Sequence, residues 1–131
     1  MATSLSAFCI YTIKHDRDLD TAAARGKAGW FREGKPWRTG QRLLREAKAD
    51  KVSLPVLLAY ATDCGTLRYW GVLTKVVIDD KGTRYWFDKL RRIPGRRRTQ
   101  ELTLRSSRKK IAPHFIRPYA ICETPTFLKR S

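Results

Sequence analysis

The chain has 131 residues, 42% of them hydrophobic and 11% aromatic, which describes a single globular domain able to bury its own core and excludes an intrinsically disordered segment. Its 28 Lys and Arg against 12 Asp and Glu give a formal charge of +16, so the expected partners are polyanions such as RNA or DNA. No apolar run approaches the roughly 20 residues of a membrane span.

Lys14, Asp16, Arg17 and Asp18 interrupt the N-terminal segment too early for a signal peptide, and no membrane partner is expected. Cys9, Cys64 and Cys122 are odd in number, far apart and without a Cys-x-x-Cys pair. They call for neither a disulfide framework nor a metal, and a reducing cytoplasm is the expected compartment. The charge is uneven. From Lys81 onward, 15 Lys or Arg stand against three acids, Asp88, Glu101 and Glu123, a net of +12 that leaves +4 for the first eighty residues. Charge gathered in one half fits a directed contact with a polyanion better than it fits solubility.

In chain order, Ala7 to Ile13 is apolar and rich in β-formers, which predicts a central strand. Asp18 or Asp20 can cap a short helix through Thr21 to Ala24 that stops near Gly26. Residues 26 to 40 are rich in Gly and contain Pro36, which predicts a loop carrying Trp30 and Trp37. Thr39 then starts a second helix with Leu43, Leu44 and Ala47 on one face and Arg42, Arg45 and Lys48 toward solvent. The run from Pro55 to Thr62 predicts a strand buried on both faces. Residues 67 to 78 and 83 to 93 then read as a long hairpin around the turn Asp79-Asp80-Lys81-Gly82. Strict alternation puts Trp70, Val72, Val76 and Ile78 on one face of its first arm and Tyr69, Gly71, Leu73 and Val77 on the other. Both faces are apolar, so the sheet is either covered by helices or curled into a barrel, and Gly71, which suits a tight bend, favours the barrel. Ile93-Pro94-Gly95 ends the hairpin and leaves Arg96, Arg97 and Arg98 on a loop. Glu101 to Leu104 reads as a brief strand or turn, and Tyr119 to Cys122 as a closing strand.

The order of Leu57, Leu58, Ala59 and Tyr60, then Gly71 and Val72, then Trp86, Arg92, Ile93 and Pro94 resembles the PUA-like superfamily, in particular its EVE and ASCH branches. The resemblance spans about residues 52 to 122. It implies an α+β fold in which a small, curved, antiparallel β-barrel carries two short helices in the N-terminal half of one domain, residues 1–131. It also implies a cleft that binds RNA or DNA and often accepts one modified base. Gly34-Lys35-Pro36-Trp37-Arg38-Thr39 has no carboxylate where the ASCH signature places one, so an ASCH-type catalytic role does not carry over.

The residues themselves point to a base reader. A flipped or single-stranded base stacks on an aromatic ring for roughly 1–3 kcal/mol. Trp30 and Trp37, beside Arg32, Lys35 and Arg38, are the loop candidates for that pocket, with Tyr69 and Tyr85 as further walls. Trp70 and Trp86 lie in strands and are expected to be core. Arg91, Arg92, Arg96, Arg97, Arg98, Arg108, Lys109 and Lys110 would hold phosphates. Such a module needs no cofactor. The alternative is a small, basic, metal-independent ribonuclease with His15 and His114 as general base and acid. A basic protein of a ribosome or polymerase assembly, without a pocket, is the third class. A binding module is favoured, because no His-Glu-x-x-His, Walker loop or Gly-x-Ser-x-Gly elbow is present.

Overall fold

The computed structural model describes residues 4–26, 28–112 and 119–128. Strand β1 (Phe8–Lys14) is followed by helix α1 (Asp16–Arg25), strand β2 (Gly29–Glu33) and helix α2 (Arg38–Ala49). Strands β3 (Leu54–Tyr60), β4 (Asp63–Asp79) and β5 (Gly82–Arg98) come next, then a 3-10 turn at Thr99–Glu101 and strand β6 (Tyr119–Glu123). The six strands form one mixed sheet in the order β2-β5-β4-β3-β1-β6. All pairings are antiparallel except β1 with β3, so the fold is α+β.

Several expectations need correction here. The predicted loop at 26 to 40 contains an edge strand, because Gly29 to Glu33 pairs with β5. The sheet is not wholly antiparallel, and among the described residues no ladder joins β2 to β6 to close a barrel. The hairpin does not stop at Ile93. Pro94 and Gly95 sit in a wide irregularity, where four residues from Ile93 to Arg96 oppose Arg68 alone. Gly95 adopts φ 75° there, and ladder pairing resumes at Arg97 with Leu67. A proline that would end a regular central strand is tolerated where the ladder is already interrupted. Arg97 and Arg98 therefore belong to β5 and not to a loop.

The helices end where the chemistry requires. Gly26 takes φ 64° and its N–H donates to the Ala23 carbonyl, a left-handed stop for α1. In α2, Leu43, Leu44 and Ala47 are buried while Arg42, Arg45 and Lys48 are exposed, as the 3.6-residue period predicts. Both helices pack on one sheet face over Ile10, Leu54, Val56, Leu58, Tyr69 and Phe87. The opposite face, with Tyr11, Leu57, Trp70 and Ile93, is covered by Leu102, Ile111 and Leu128 of the C-terminal segment. β3, between β4 and β1, serves both layers.

Strict alternation fails in β4, because the register shifts between Leu73 and Lys75. That extra residue brings Val76 and Ile78 onto the helix-covered face with Tyr69 and Leu73, opposite Trp70 and Val72.

Trp37 precedes α2 and has no exposed surface. Its ring lies between Tyr85, at 4.2 Å and 21°, and Tyr119, at 4.8 Å and 13°. The Trp37 backbone N–H donates to Thr83 Oγ1, and that hydroxyl donates to the Lys35 carbonyl. On the far side the Gly40 N–H donates to the Tyr119 hydroxyl at 2.8 Å. A Cβ at Gly40 would stand 3.0 Å from Ile10 Cδ1 and 3.1 Å from that hydroxyl, so a side chain there would have to push both back.

Trp37→Ala should therefore lower stability by about 3–5 kcal/mol, the usual cost of emptying a buried Trp site. Urea denaturation checks this. The loss should be seen with no nucleic acid present, and Gly40→Ala should destabilise in the same assay by displacing Tyr119.

Candidate nucleic-acid interface

The register of β2, β5 and β4 defines a second, uncovered aromatic group. Trp30 pairs across strands with Trp86, and Trp86 pairs with Lys75. The next row is Arg32, Arg84 and Val77. Tyr85 and Phe87 on β5 point into the helix-covered core, so by alternation Arg84 and Trp86 point outward. Among the described residues the C-terminal cover does not reach this end of the sheet, and neither Trp30 nor Trp86 joins a buried cluster. Trp30 is 51% exposed, the one large hydrophobic so exposed among the described residues.

The two indoles lie 6.1 Å apart at 36°. Lys75 Nζ stands 5.0 Å from the Trp86 ring centre and the Arg84 guanidinium 5.4 Å from it. Arg32 is tied down, with Nη1 3.2 Å from Asp79 Oδ1. This contact and the Lys81 N–H hold the Asp79 carboxyl below its ordinary pKa. Farther along the hairpin, Arg91 lies 4.1 Å over Trp70, and partial burial pulls its pKa below the usual guanidinium value.

A polar knot links α1 to β3 and β4. The hydroxyls of Tyr60 and Tyr69 both donate to Asp20 Oδ1, at 2.6 and 2.7 Å. The Arg68 guanidinium lies 4.7 Å over the Tyr60 ring and Arg92 lies 5.6 Å over Tyr69. The two phenol hydrogen bonds, helped by the arginines, lower the Asp20 pKa, and the same carboxylate raises that of Tyr60.

The residues singled out in the sequence thus separate. Trp30 is exposed but stands in a strand. Trp37 and Tyr85 are fully buried, and Tyr69 is buried with its hydroxyl tethered to Asp20, so none of the three offers a free ring face. The Gly- and Pro-rich context of Trp37 suggested a loop ring, but its stacking partners lie on distant strands and no local pattern shows them. Burial also raises the Tyr85 pKa strongly, which keeps the phenol neutral. Lys35, Arg38, Arg92, Arg96, Arg98, Arg108, Lys109 and Lys110 are exposed. Arg97 pairs with Glu101 at 3.2 Å and stacks on Phe127 at 4.6 Å, and Lys110 Nζ donates to the Glu101 carbonyl. His15 is exposed at the start of α1, while His114 lies outside the described residues.

Trp86, expected in the core, belongs instead to the open face together with Lys75 and Arg84. One signal was present: Arg84 and Trp86 are two residues apart, as are Trp30 and Arg32, so each pair shares a strand face. Among the described residues no three His, Cys, Asp or Glu side chains gather as a metal site, and no helix is long and apolar enough to cross a membrane. No protein-family model matches the chain, and no curated protein matches it in sequence.

The Asp20 knot gives a prediction in acid. A carboxyl with a lowered folded pKa contributes stability that is present above its unfolded value, about 3.9, and is lost as pH falls through the folded value. Tyr60→Phe with Tyr69→Phe should raise the Asp20 midpoint toward 3.9, as followed by the carboxyl carbon resonance. The acid-unfolding midpoint should rise with it.

Proposed function

We propose that the chain is a nucleic-acid-binding module of PUA-like kind that holds single-stranded or unstacked RNA or DNA on the outer face of β2, β5 and β4. The observation that carries this reading is the exposed Trp30 ring beside Trp86, with Lys75 and Arg84 on the Trp86 indole. A half-exposed Trp at a sheet edge forgoes burial that the core could have supplied, and an exposed ring near cations suits a flat anionic partner. A base stacks on Trp30, and the flanking phosphates meet Lys75, Arg84 and Arg91. Base stacking asks only for a π-face, so this face tolerates many sequences, while affinity comes largely from phosphate contacts and counterion release. The PUA-like residue order, from Tyr60 through Gly71 and Val72 to Trp86, Arg92, Ile93 and Pro94, runs along three neighbouring strands and supports the same class of ligand. The exposed Arg96 and Arg98 extend the positive surface past the hairpin's irregularity.

Binding is measured by fluorescence anisotropy with short single-stranded and duplex oligonucleotides at several salt concentrations. Single strands should bind more tightly than duplexes. Trp30→Ala should weaken single-strand binding by roughly 1–3 kcal/mol, about 5- to 150-fold, with little change in melting temperature. Unchanged affinity in that variant sinks the stacking role. Replacing Arg96 and Arg98 with Ala should instead weaken all oligonucleotides by similar factors and flatten the dependence on salt.

A further inference from the structure

At the other edge of the sheet, between the start of α2 and β6, lies a cavity of about 760 Å³. Thr39 and Arg42 of α2 line one side, Arg105, Ser106 and Ser107 another, and Tyr119 of β6 a third. No carboxylate lines it among the described residues, and neither arginine joins an ion pair there. Arg105 is nonetheless positioned, because its guanidinium rests 4.8 Å over the Phe8 ring. Tyr119 is positioned more firmly still: its ring stacks on Trp37 and its hydroxyl accepts the Gly40 N–H. Ser107 Oγ accepts the Lys109 N–H, a hydrogen bond within the turn that carries Arg105, Ser106 and Ser107.

These features divide by chemistry. Two uncompensated guanidinium forks and three hydroxyls suit the oxygens of a phosphate, for which Arg has matching geometry. A fixed aromatic wall suits a planar base. The volume lies within the range typical of small-molecule sites, about 300–1,000 Å³, and is far larger than a lone phosphate needs. We propose that this cavity binds a nucleoside monophosphate unit, with the phosphate on Arg42, Arg105 and the Ser106 hydroxyl and the base against Tyr119. The unit is either a free nucleotide or the phosphorylated end of a strand. The site is separate from the Trp30 face and does not depend on it.

The test is isothermal calorimetry of the full chain at low salt with the nucleoside 5′-monophosphates, the parent nucleosides and inorganic phosphate. Oligonucleotides with and without a 5′-phosphate separate the two sources. Monophosphates should bind at least about tenfold more tightly than either nucleosides or phosphate alone, the size of effect a charge-assisted bidentate contact supplies. Backbone amide shifts on titration should centre on residues 104–107 and 119–121. Arg42→Gln with Arg105→Gln should abolish the preference, and Trp30→Ala should leave it intact. Nucleosides binding as well as monophosphates, phosphate binding as well as nucleotides, or amide shifts centred on Trp30 and Trp86 would each overturn the proposal. The ligand panel and amide shifts on the unaltered protein decide it even if the double variant folds poorly.

Discussion

The stack of Tyr85, Trp37 and Tyr119 sets the shape of this protein. Tyr85 stands on β5 and Tyr119 on β6, four places apart in the sheet order. In a flat sheet, four spacings of about 4.8 Å would hold those strands roughly 19 Å apart. Both rings nevertheless lie within 5 Å of the Trp37 ring. The sheet must therefore curve around Trp37, and α2 follows because Trp37 leads directly into its first turn. Hydrogen bonds from the backbone N–H of Trp37 to Thr83 and of Gly40 to Tyr119 tether the backbone that carries the indole to two strands. Each ring contact adds about 0.5–1.5 kcal/mol beyond area burial, so much of the curvature's stabilisation sits at one residue.

Curvature of this kind needs irregular ladders, and the long hairpin supplies them. The shift between Leu73 and Lys75 and the excursion at Ile93 to Arg96 let the two 17-residue strands bend without losing their ends. The turn is tight for a related reason. Gly82 has φ 121°, and a side chain there would collide with the backbone at Glu33 and Gly34, where β2 ends. The turn of one hairpin is thereby packed against the tip of the strand that carries Trp30. A change in the turn would be felt at the aromatic face.

The reach of the sequence over this fold follows from the range of each signal. Helix α2, the buried β3 and the hairpin were legible because their patterns repeat within a few residues and depend on near neighbours. Gly26 was legible as a stop for the same reason. Strand β2 was not, because five residues between glycines and a proline look like a loop until β5 pairs with them. The burial of Trp37 was hidden more deeply, since its partners lie 48 and 82 positions away in the chain. The face assignment in β4 failed because a one-residue bulge inverts parity and leaves no mark in composition. For the candidate interface, the basic character and the importance of Trp30 could be read, whereas the roles of Trp86, Lys75 and Arg84 needed the register.

The doubled Tyr-Trp shows how one local pattern gives two outcomes. In both copies the tyrosine points into the helix-covered core and the tryptophan to the opposite face, because adjacent strand residues alternate. Tyr69 and Tyr85 are accordingly both buried. The tryptophans differ only in what lies above them. Trp70 sits beneath the C-terminal segment with Leu102 and Ile111 and is 3% exposed, while Trp86 lies beyond that cover and meets Trp30 and two cations. Each keeps an arginine on its ring, Arg91 on Trp70 and Arg84 on Trp86. At Trp70 the cation shields a core residue at the margin of solvent. At Trp86 the same contact, worth about 0.5–1 kcal/mol at an exposed site, holds a positive charge beside the exposed Trp30 ring. Among the described residues, what separates core from candidate interface in this sheet is whether Leu102, Ile111 and Leu128 lie over the ring, not the local pattern that carries it.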